Sequence, residues 1–438
     1  MFFLAFLNKL FHLDEYGTTV KTEAYAGFIT FFAMAYIIVV NPSILVSAGM
    51  PFEAAMAATI LTAFTGTLVM GIYANRPFAI APFMGENAFI AFTVCGIMGY
   101  SWQTALGAIF LSGILLMLIT LMGGRKVLCE SIPYNLKCSF TAGIGLFIIL
   151  IGLLNTGIIR IEGSFSPVHI GYFYESNVLL AVIGLLIILV LMVRKVRAAI
   201  FIGLIVTTIA AFLLGLSPLP EAVVSMPPDI TATFMQMDVA GALTFGMLSV
   251  IFSIFILSFL DTMTSIIGVS REGGLLNGEG NLDNIEKPFL VDSLANMAAP
   301  VFGTITCGVF IESASGVTCG GRTGLVAVFI ALLFGASLFF APLFAAIPSA
   351  ASGAVLIAVG FIMFRSIIDI DFKDMTEYLP AIFAVVMMSF TYNIGIGICS
   401  AFVVYPIMKA VCGRIQEVNR STWLFFFLCL GFFILYPY

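Results

Sequence analysis

Asp261 and Glu312 each sit in a stretch of sequence otherwise apolar enough to cross a bilayer. A carboxylate near the bilayer centre costs roughly 2.5–3.5 kcal/mol on insertion scales, so such a residue is kept where it pairs, faces water or does chemistry. Burial disfavours the charged form of a carboxyl and a second carboxyl nearby disfavours it further, so a pair of this kind can hold a proton near neutral pH and release it when its surroundings change. The chemistry implied is recognition of a polar solute coupled to proton movement. Asp261 follows the run Ile251-Phe-Ser-Ile-Phe-Ile-Leu-Ser-Phe-Leu, and positions 254, 258, 261 and 265 share a helical face that is polar at three of four places, so Asp261 is expected to look into a cavity. The alternative for both acids is a structural carboxyl held by neighbouring groups. Asn87 is a further candidate for solute contact. Glu86, beside it, points about 100° away on a helix, so the two are not expected to face the same ligand. Asp292, with Asn296 one turn on, suits a helix-to-helix hydrogen bond or a coupling role better than direct contact. The proton-coupling candidates are therefore Asp261, Glu312, Glu86 and Asp292.

These residues need a membrane-spanning scaffold to position them. Of 438 residues, 61% are hydrophobic and 9% charged, against about 25% charged in an ordinary soluble domain. The net charge is −5 and the 18 Lys and Arg form no basic run, which argues against a nucleic-acid partner. Apolar runs place fourteen spans near 24–46, 53–73, 79–97, 104–123, 137–158, 177–193, 198–214, 243–268, 287–301, 303–317, 323–341, 347–364, 377–393 and 395–412. With the amino end in the cytoplasm, every Lys and Arg except Arg160 falls on the cytoplasmic side, including Arg125, Lys126, Arg194 to Arg197, Arg365 and Lys373. Both ends of the fourteen-segment unit are then cytoplasmic, in a plasma membrane or bacterial inner membrane. The stretch 215–240, with Glu221, Asp229 and Asp238 and no basic residue, suits an external loop. Trp423 to Tyr436 reads as a thin fifteenth span or an interfacial helix, and Met1 to Phe11 as an interfacial segment lacking the basic leader and cleavage site of a signal peptide.

Two spans are broken by Pro and Gly. One runs Arg76-Pro-Phe-Ala-Ile-Ala-Pro-Phe-Met-Gly-Glu-Asn-Ala-Phe; the other runs Pro300-Val-Phe-Gly-Thr-Ile-Thr-Cys-Gly-Val-Phe-Ile-Glu-Ser. Asn87 and Glu312 lie 225 positions apart, about half the chain. Matching interruptions at half-length spacing predict two inverted repeats of seven segments with the site between them. Lipid cannot satisfy the backbone of a broken stretch, so each is expected to form a short strand leading into a half-helix, near Glu86 and Asn87 in one half and near Glu312 in the other.

Other chemistries are poorly served. With only His12 and His169, a histidine-built metal site is nearly excluded, and no cofactor is implied. The eight Cys include no CxxC pair and read as small packing residues. An intramembrane aspartyl hydrolase would want a Gly-x-Gly-Asp, where Gly395-Ile-Gly-Ile lacks the Asp; a serine hydrolase would want an intramembrane His. An anion carrier of the same architecture and a passive channel remain as rivals; two opposing carboxylates speak against the first. Arg322, in Gly320-Gly-Arg-Thr-Gly, either screens a carboxylate or anchors a helix end.

Met34-Ala-Tyr-Ile-Ile-Val-Val-Asn-Pro, Gly85-Glu-Asn-Ala-Phe-Ile-Ala-Phe, Asp261-Thr-Met-Thr and Ile311-Glu-Ser-Ala-Ser-Gly with Gly320-Gly-Arg-Thr-Gly-Leu together resemble the adenine/guanine/hypoxanthine permeases. These form the purine-specific branch of the nucleobase-cation symporter family that also contains uracil and xanthine permeases. The resemblance covers nearly the whole chain. It implies an all-α polytopic protein of fourteen segments in two inverted sevens, with segments 3 and 10 discontinuous. The implied core domain takes 1–123 and 241–343 (segments 1–4 and 8–11); the gate domain takes 124–240 and 344–438 (segments 5–7 and 12–14 plus the last apolar segment). It implies import of a purine base with H⁺, or alternatively Na⁺, by an elevator-like motion, and leaves open a homodimer through the gate domains. The implied substrate residues are Asp261, Glu312, Asn87 and Phe310, with Thr264 closing the Asp261 motif. The family pattern has an apolar residue where this chain has Glu86, and a Thr-rich strand ending in Tyr where this chain has Cys307-Gly-Val-Phe310.

Overall fold

A peptide group in hydrocarbon has only the next helical turn to bond, so the apolar runs become helices and non-helical backbone survives only where protein pairs it. The computed structural model describes residues 2–124, 132–161, 168–220, 222–276 and 282–435; Arg125, Lys126, Cys129, Glu221 and Tyr436 lie outside these ranges. The chain order is α1 (Phe2–Phe11), α2 (Val20–Ala48), α3 (Phe52–Ala74), β1 (Ile80–Pro82), α4 (Met84–Ile97), α5 (Trp102–Leu121), α6 (Tyr134–Asn155), β2 (Ile159–Arg160), β3 (His169–Ile170), α7 (Ser176–Val193) and α8 (Ala199–Leu213). It continues with α9 (Met247–Glu272), α10 (Glu286–Phe302), β4 (Cys307–Val309), α11 (Ser313–Val317), α12 (Gly324–Ala345), α13 (Ser349–Asp369), α14 (Met375–Phe390), α15 (Ile394–Val411) and α16 (Arg420–Leu435). Among the described residues nine helices are at least 18 residues long and apolar enough to cross a membrane. The chain is thus a mostly helical polytopic membrane protein.

The helices pack chiefly in two groups. In one, α12 lies against α2 and α3, α5 against α9 and α10, and α3 against α10. In the other, α6 and α7 lie on α13, α14 on α6, α8 on α7 and α15 on α14. The α6–α13 crossing is close: a Cβ on Gly145 would stand 2.4 Å from the Phe364 backbone nitrogen, so only small residues permit it. The last apolar run forms α16, a 16-residue helix packed along α15 with the Phe402 and Phe425 rings 5.0 Å apart.

Both sequence-predicted breaks contain the expected short strand, and the two strands pair with each other. β1 and β4 are antiparallel, with Ile80 opposite Val309 and Pro82 opposite Cys307. Side chains of the preceding helices close the ladder edges: Thr67 Oγ1 and the Ile80 peptide exchange hydrogen bonds (3.0 and 2.9 Å), and Asn296 Oδ1 accepts from Cys307 N at 3.1 Å. The β2–β3 ladder, two residues a side, had no sequence signal.

At one end of the second group, a charged cluster joins α14, α15 and the following turn. Lys409, its side chain wholly buried, pairs with Glu377 (2.6 Å) and Glu417 (2.9 Å). Arg414 pairs with Asp374 and Glu417, each at 2.6 Å. Hydrogen bonds from Thr376 and Arg414 hold the Asp374 carboxyl down at about 2, and those from Arg414 and Lys409 hold Glu417 at about 2. Because folding lowers these values from 3.8 and 4.5, the stabilisation is present above about pH 4.5 and is lost as pH falls toward 2. Arg414→Met is therefore expected to lower the melting temperature of detergent-purified protein at neutral pH. The difference from wild type should shrink as pH falls from about 4.5 toward 2; a difference constant across that range would contradict the assignment.

Candidate functional site

Where β1 and β4 end, the chain delivers side chains to a shared place. Phe83 follows β1 and Phe310 follows β4, and each is fixed by a matching bond across the pair: Phe83 N donates to Thr306 O (3.0 Å) and Phe310 N to Ala79 O (2.9 Å). The two rings stand 6.3 Å apart and within 9° of parallel. Both rings line a cavity of about 150 Å³, completed by Tyr36, Met84, Asp261, Thr264, Ser265, Glu312 and, from the other packing group, Thr141, Val359, Ile362, Met363 and Ser366.

Of the residues expected at a site, the structure brings Asp261, Thr264, Phe310 and Glu312 to this cavity. Asp261, at mid-length of α9, makes no hydrogen bond or ion pair among the described residues. Thr264 spends its hydroxyl proton on Leu260 O (2.7 Å), leaving lone pairs for a donor. Glu312 immediately precedes α11 and accepts from the Tyr36 hydroxyl at 2.6 Å, a charge-assisted length. Tyr36 is placed by a tightened turn in α2, where Val39 N bonds Tyr36 O (3.1 Å) shortly before Pro42, which has no N–H to continue the ladder.

Asn87, Glu86 and Asp292 are not on the cavity wall. Asn87 is fully buried and its Nδ2 donates to Asn41 Oδ1 (2.7 Å) and Asn41 O (3.1 Å), because α4 is rotated to face α2. Glu86 points instead toward α9, where Ser258 Oγ donates to its Oε1 at 3.3 Å. Asp292 Oδ1 accepts from Thr262 (2.8 Å), linking α10 to α9. Arg322 reaches no carboxylate with its guanidinium among the described residues: it donates to the carbonyls of Val317 (2.6 Å) and Gly321 (2.8 Å), holding the end of α11.

Tyr36, Phe83 and Glu23 escaped the sequence reading. The signal for the first two was the repeat spacing: Tyr36 and Asp261 are 225 apart, as are Asn87 and Glu312, and Phe83 and Phe310 are 227 apart. Glu23, wholly buried, accepts from Thr18 Oγ1, Arg322 N, Thr323 N and Thr323 Oγ1 at 2.6–3.1 Å, tying α2 to the start of α12.

A bundle of membrane-crossing helices whose two broken segments close on one partly polar cavity is the layout of a membrane transport protein. Residues 21–404 match the model of the Permease family, and the chain belongs to that family. It is 42% identical over 413 residues to the adenine permease AdeQ of Escherichia coli (strain K12), covering 94% of this chain and 93% of that one. It is 40% identical over 423 residues to the guanine/hypoxanthine permease PbuO of Bacillus subtilis (strain 168), covering 95% and 98%. The motif resemblance to the adenine/guanine/hypoxanthine permeases is thereby borne out. Among solved structures, the transmembrane domain of the cyanobacterium bicarbonate transporter BicA matches with a TM-score of 0.64 at 17% identity, over 87% of this chain and 96% of that one, a likeness of fold.

The site depends on close passage of β4 behind Phe83. A Cβ on Gly308 would stand 2.4 Å from the Phe83 ring and 2.6 Å from Asp292 Oδ1. Gly308→Ala is expected to cost about 1–3 kcal/mol by overpacking, read as a lower melting temperature of the purified protein. An unchanged melting temperature would show that the strand does not run this close.

Proposed function

We propose that this chain imports a purine base, adenine, guanine or hypoxanthine, together with a proton across the bacterial inner membrane. The observation that carries the reading is the meeting of two carboxyls with two parallel aromatic rings in one cavity. A purine is flat and lined with N–H donors and ring-nitrogen acceptors. Phe83 and Phe310 offer apolar faces to its plane, and Asp261 and Glu312 offer acceptors to its N–H edge. A base filling the cavity displaces water and disfavours two charged carboxylates, so a proton taken up with the base offsets that cost. The relatives' names, adenine permease and guanine/hypoxanthine permease, fit this substrate class.

The cavity wall draws Asp261, Phe83, Phe310 and Glu312 from one packing group and Thr141, Val359, Ile362 and Met363 from the other. This supports an elevator-type cycle in which the first group, the core, carries the base past the second, the gate. Paired contacts support the inverted repeat. The contact of α12 with α2 and α3 is mirrored by that of α5 with α9 and α10, and α7 on α13 by α14 on α6. Glu312 also lines a second cleft of about 270 Å³ with Lys195 and Arg197, basic residues that the positive-inside pattern assigns to the cytoplasm, which suits release inward.

Asp261→Asn and Glu312→Gln are each expected to reduce uptake of labelled adenine, guanine and hypoxanthine to background while the protein still reaches the membrane. Normal uptake by both variants would sink the reading. Tyr36→Phe removes a hydrogen bond to a charged group, worth about 1.5–3 kcal/mol, so kcat/KM for uptake should fall about 10- to 100-fold.

A further inference from the structure

Behind the cavity lies a carboxyl that the base does not reach. Glu86 is fully buried near the start of α4 and is absent from the cavity wall. Its Oε1 receives the Ser258 hydroxyl at 3.3 Å, and its Oε2 has no hydrogen-bond partner among the described residues. The titratable groups that face it are Asp261 on α9, Asp292 on α10 and Cys307 on β4, and among the described residues no Lys, Arg or His acts on it. A charged carboxylate in this place would be buried beside other carboxyls with no cation to pair it, whereas a protonated one is neutral.

The residue placed to hand that proton on lies in α9. Ser258 precedes Asp261 by one turn on the same helical face. A serine hydroxyl donates one hydrogen bond and can accept others; Ser258 now donates to Glu86, and rotation of its hydroxyl toward Asp261, which lines the cavity, would let it hand a proton from one acid to the other. The surroundings of Glu86 also depend on the relation between the two packing groups. The adjacent Gly85 abuts α6 so closely that a Cβ there would stand 2.6 Å from Ile144 Cγ2, so movement of one group past the other alters what shields this carboxyl.

We propose that Glu86 is a second proton-carrying carboxyl, filled through Asp261 and Ser258, so that two protons move with each base where the cavity carboxyls alone would move one. This rests on the reading of the chain as a proton-coupled purine permease. The test uses the full chain in proteoliposomes, with the membrane potential clamped to zero by valinomycin and potassium, and measures the steady accumulation of labelled hypoxanthine, guanine and adenine against an imposed pH gradient. For a tenfold proton gradient, two protons per base support about 100-fold accumulation and one supports about tenfold. Wild type is expected to follow the square of the gradient, and Glu86→Gln the first power, while both still exchange labelled for unlabelled base at zero gradient. Wild-type accumulation following the first power, or Glu86→Gln still following the square, would overturn the inference and leave the permease reading intact. Failure of wild type to exchange any of the three bases would overturn both. Because the wild-type stoichiometry is decisive by itself, an unstable variant does not blunt the test; Ser258→Ala, which removes the relay hydroxyl and leaves Glu86, should also drop accumulation toward the first power.

Discussion

The antiparallel pairing of β1 with β4 is the contact on which the rest of this molecule depends. Non-helical backbone at membrane depth has no water to bond, and each unsatisfied peptide group costs several kcal/mol. Neither break could exist alone. Each supplies the partner for the other, with Ile80 opposite Val309 and Pro82 opposite Cys307, and the neighbouring helices finish the edges through Thr67 and Asn296. The strands can be three residues long because they need only bridge two half-helices. Two elements far apart in sequence are thereby locked in one register, and the residues at the far end of each strand are delivered to a common point.

Rotation about the short helices then sorts the polar side chains. Phe83, Phe310 and Glu312 turn to the cavity, Glu86 turns to Ser258 on α9, and Asn87 turns to Asn41 on α2. Asn41 in turn donates to Thr59 (2.7 Å) and Thr304 (3.0 Å), joining α2 and α3 to the approach to β4. The buried amides thus serve as struts, and the carboxyls divide between the cavity wall and the space behind it. That division separates the carboxyls that line the cavity, Asp261 and Glu312, from Glu86, which does not reach it.

The outer shell has the same logic of satisfying what lipid cannot. Glu23 gathers the Thr323 hydroxyl and the first peptide groups of the Arg322–Thr323 turn, while the Arg322 guanidinium takes the carbonyls at the end of α11. An acid and a base of opposite charge are each spent on backbone ends, and together they hold the short helix that begins beside Glu312. The glycine-rich segment Gly320-Gly-Arg-Thr-Gly is therefore read best as the mounting of the cavity's carboxyl. The charged cluster of Lys409, Arg414, Asp374, Glu377 and Glu417 does the corresponding work for the second packing group.

Much of this was legible in the residues. The cost of placing polar atoms in hydrocarbon is local, so apolar runs mark the helices, Pro and Gly mark the breaks, and Asp261 and Glu312 stand out wherever they point. Half-length spacing alone ties the two breaks together. Tyr36 and Phe83 were not legible as cavity walls because an aromatic in an apolar stretch looks the same whether it meets lipid, a neighbouring helix or a cavity. The direction of Asn87 was not legible either, since neighbouring residues on a half-helix diverge by about 100° and only packing against α2 sets which of them faces inward. Sequence by itself determined which segments are apolar enough for a membrane and which residues are costly there. The tertiary structure decided which of those residues meet, because that choice is set by helix rotation and by strand pairing between positions more than 220 residues apart.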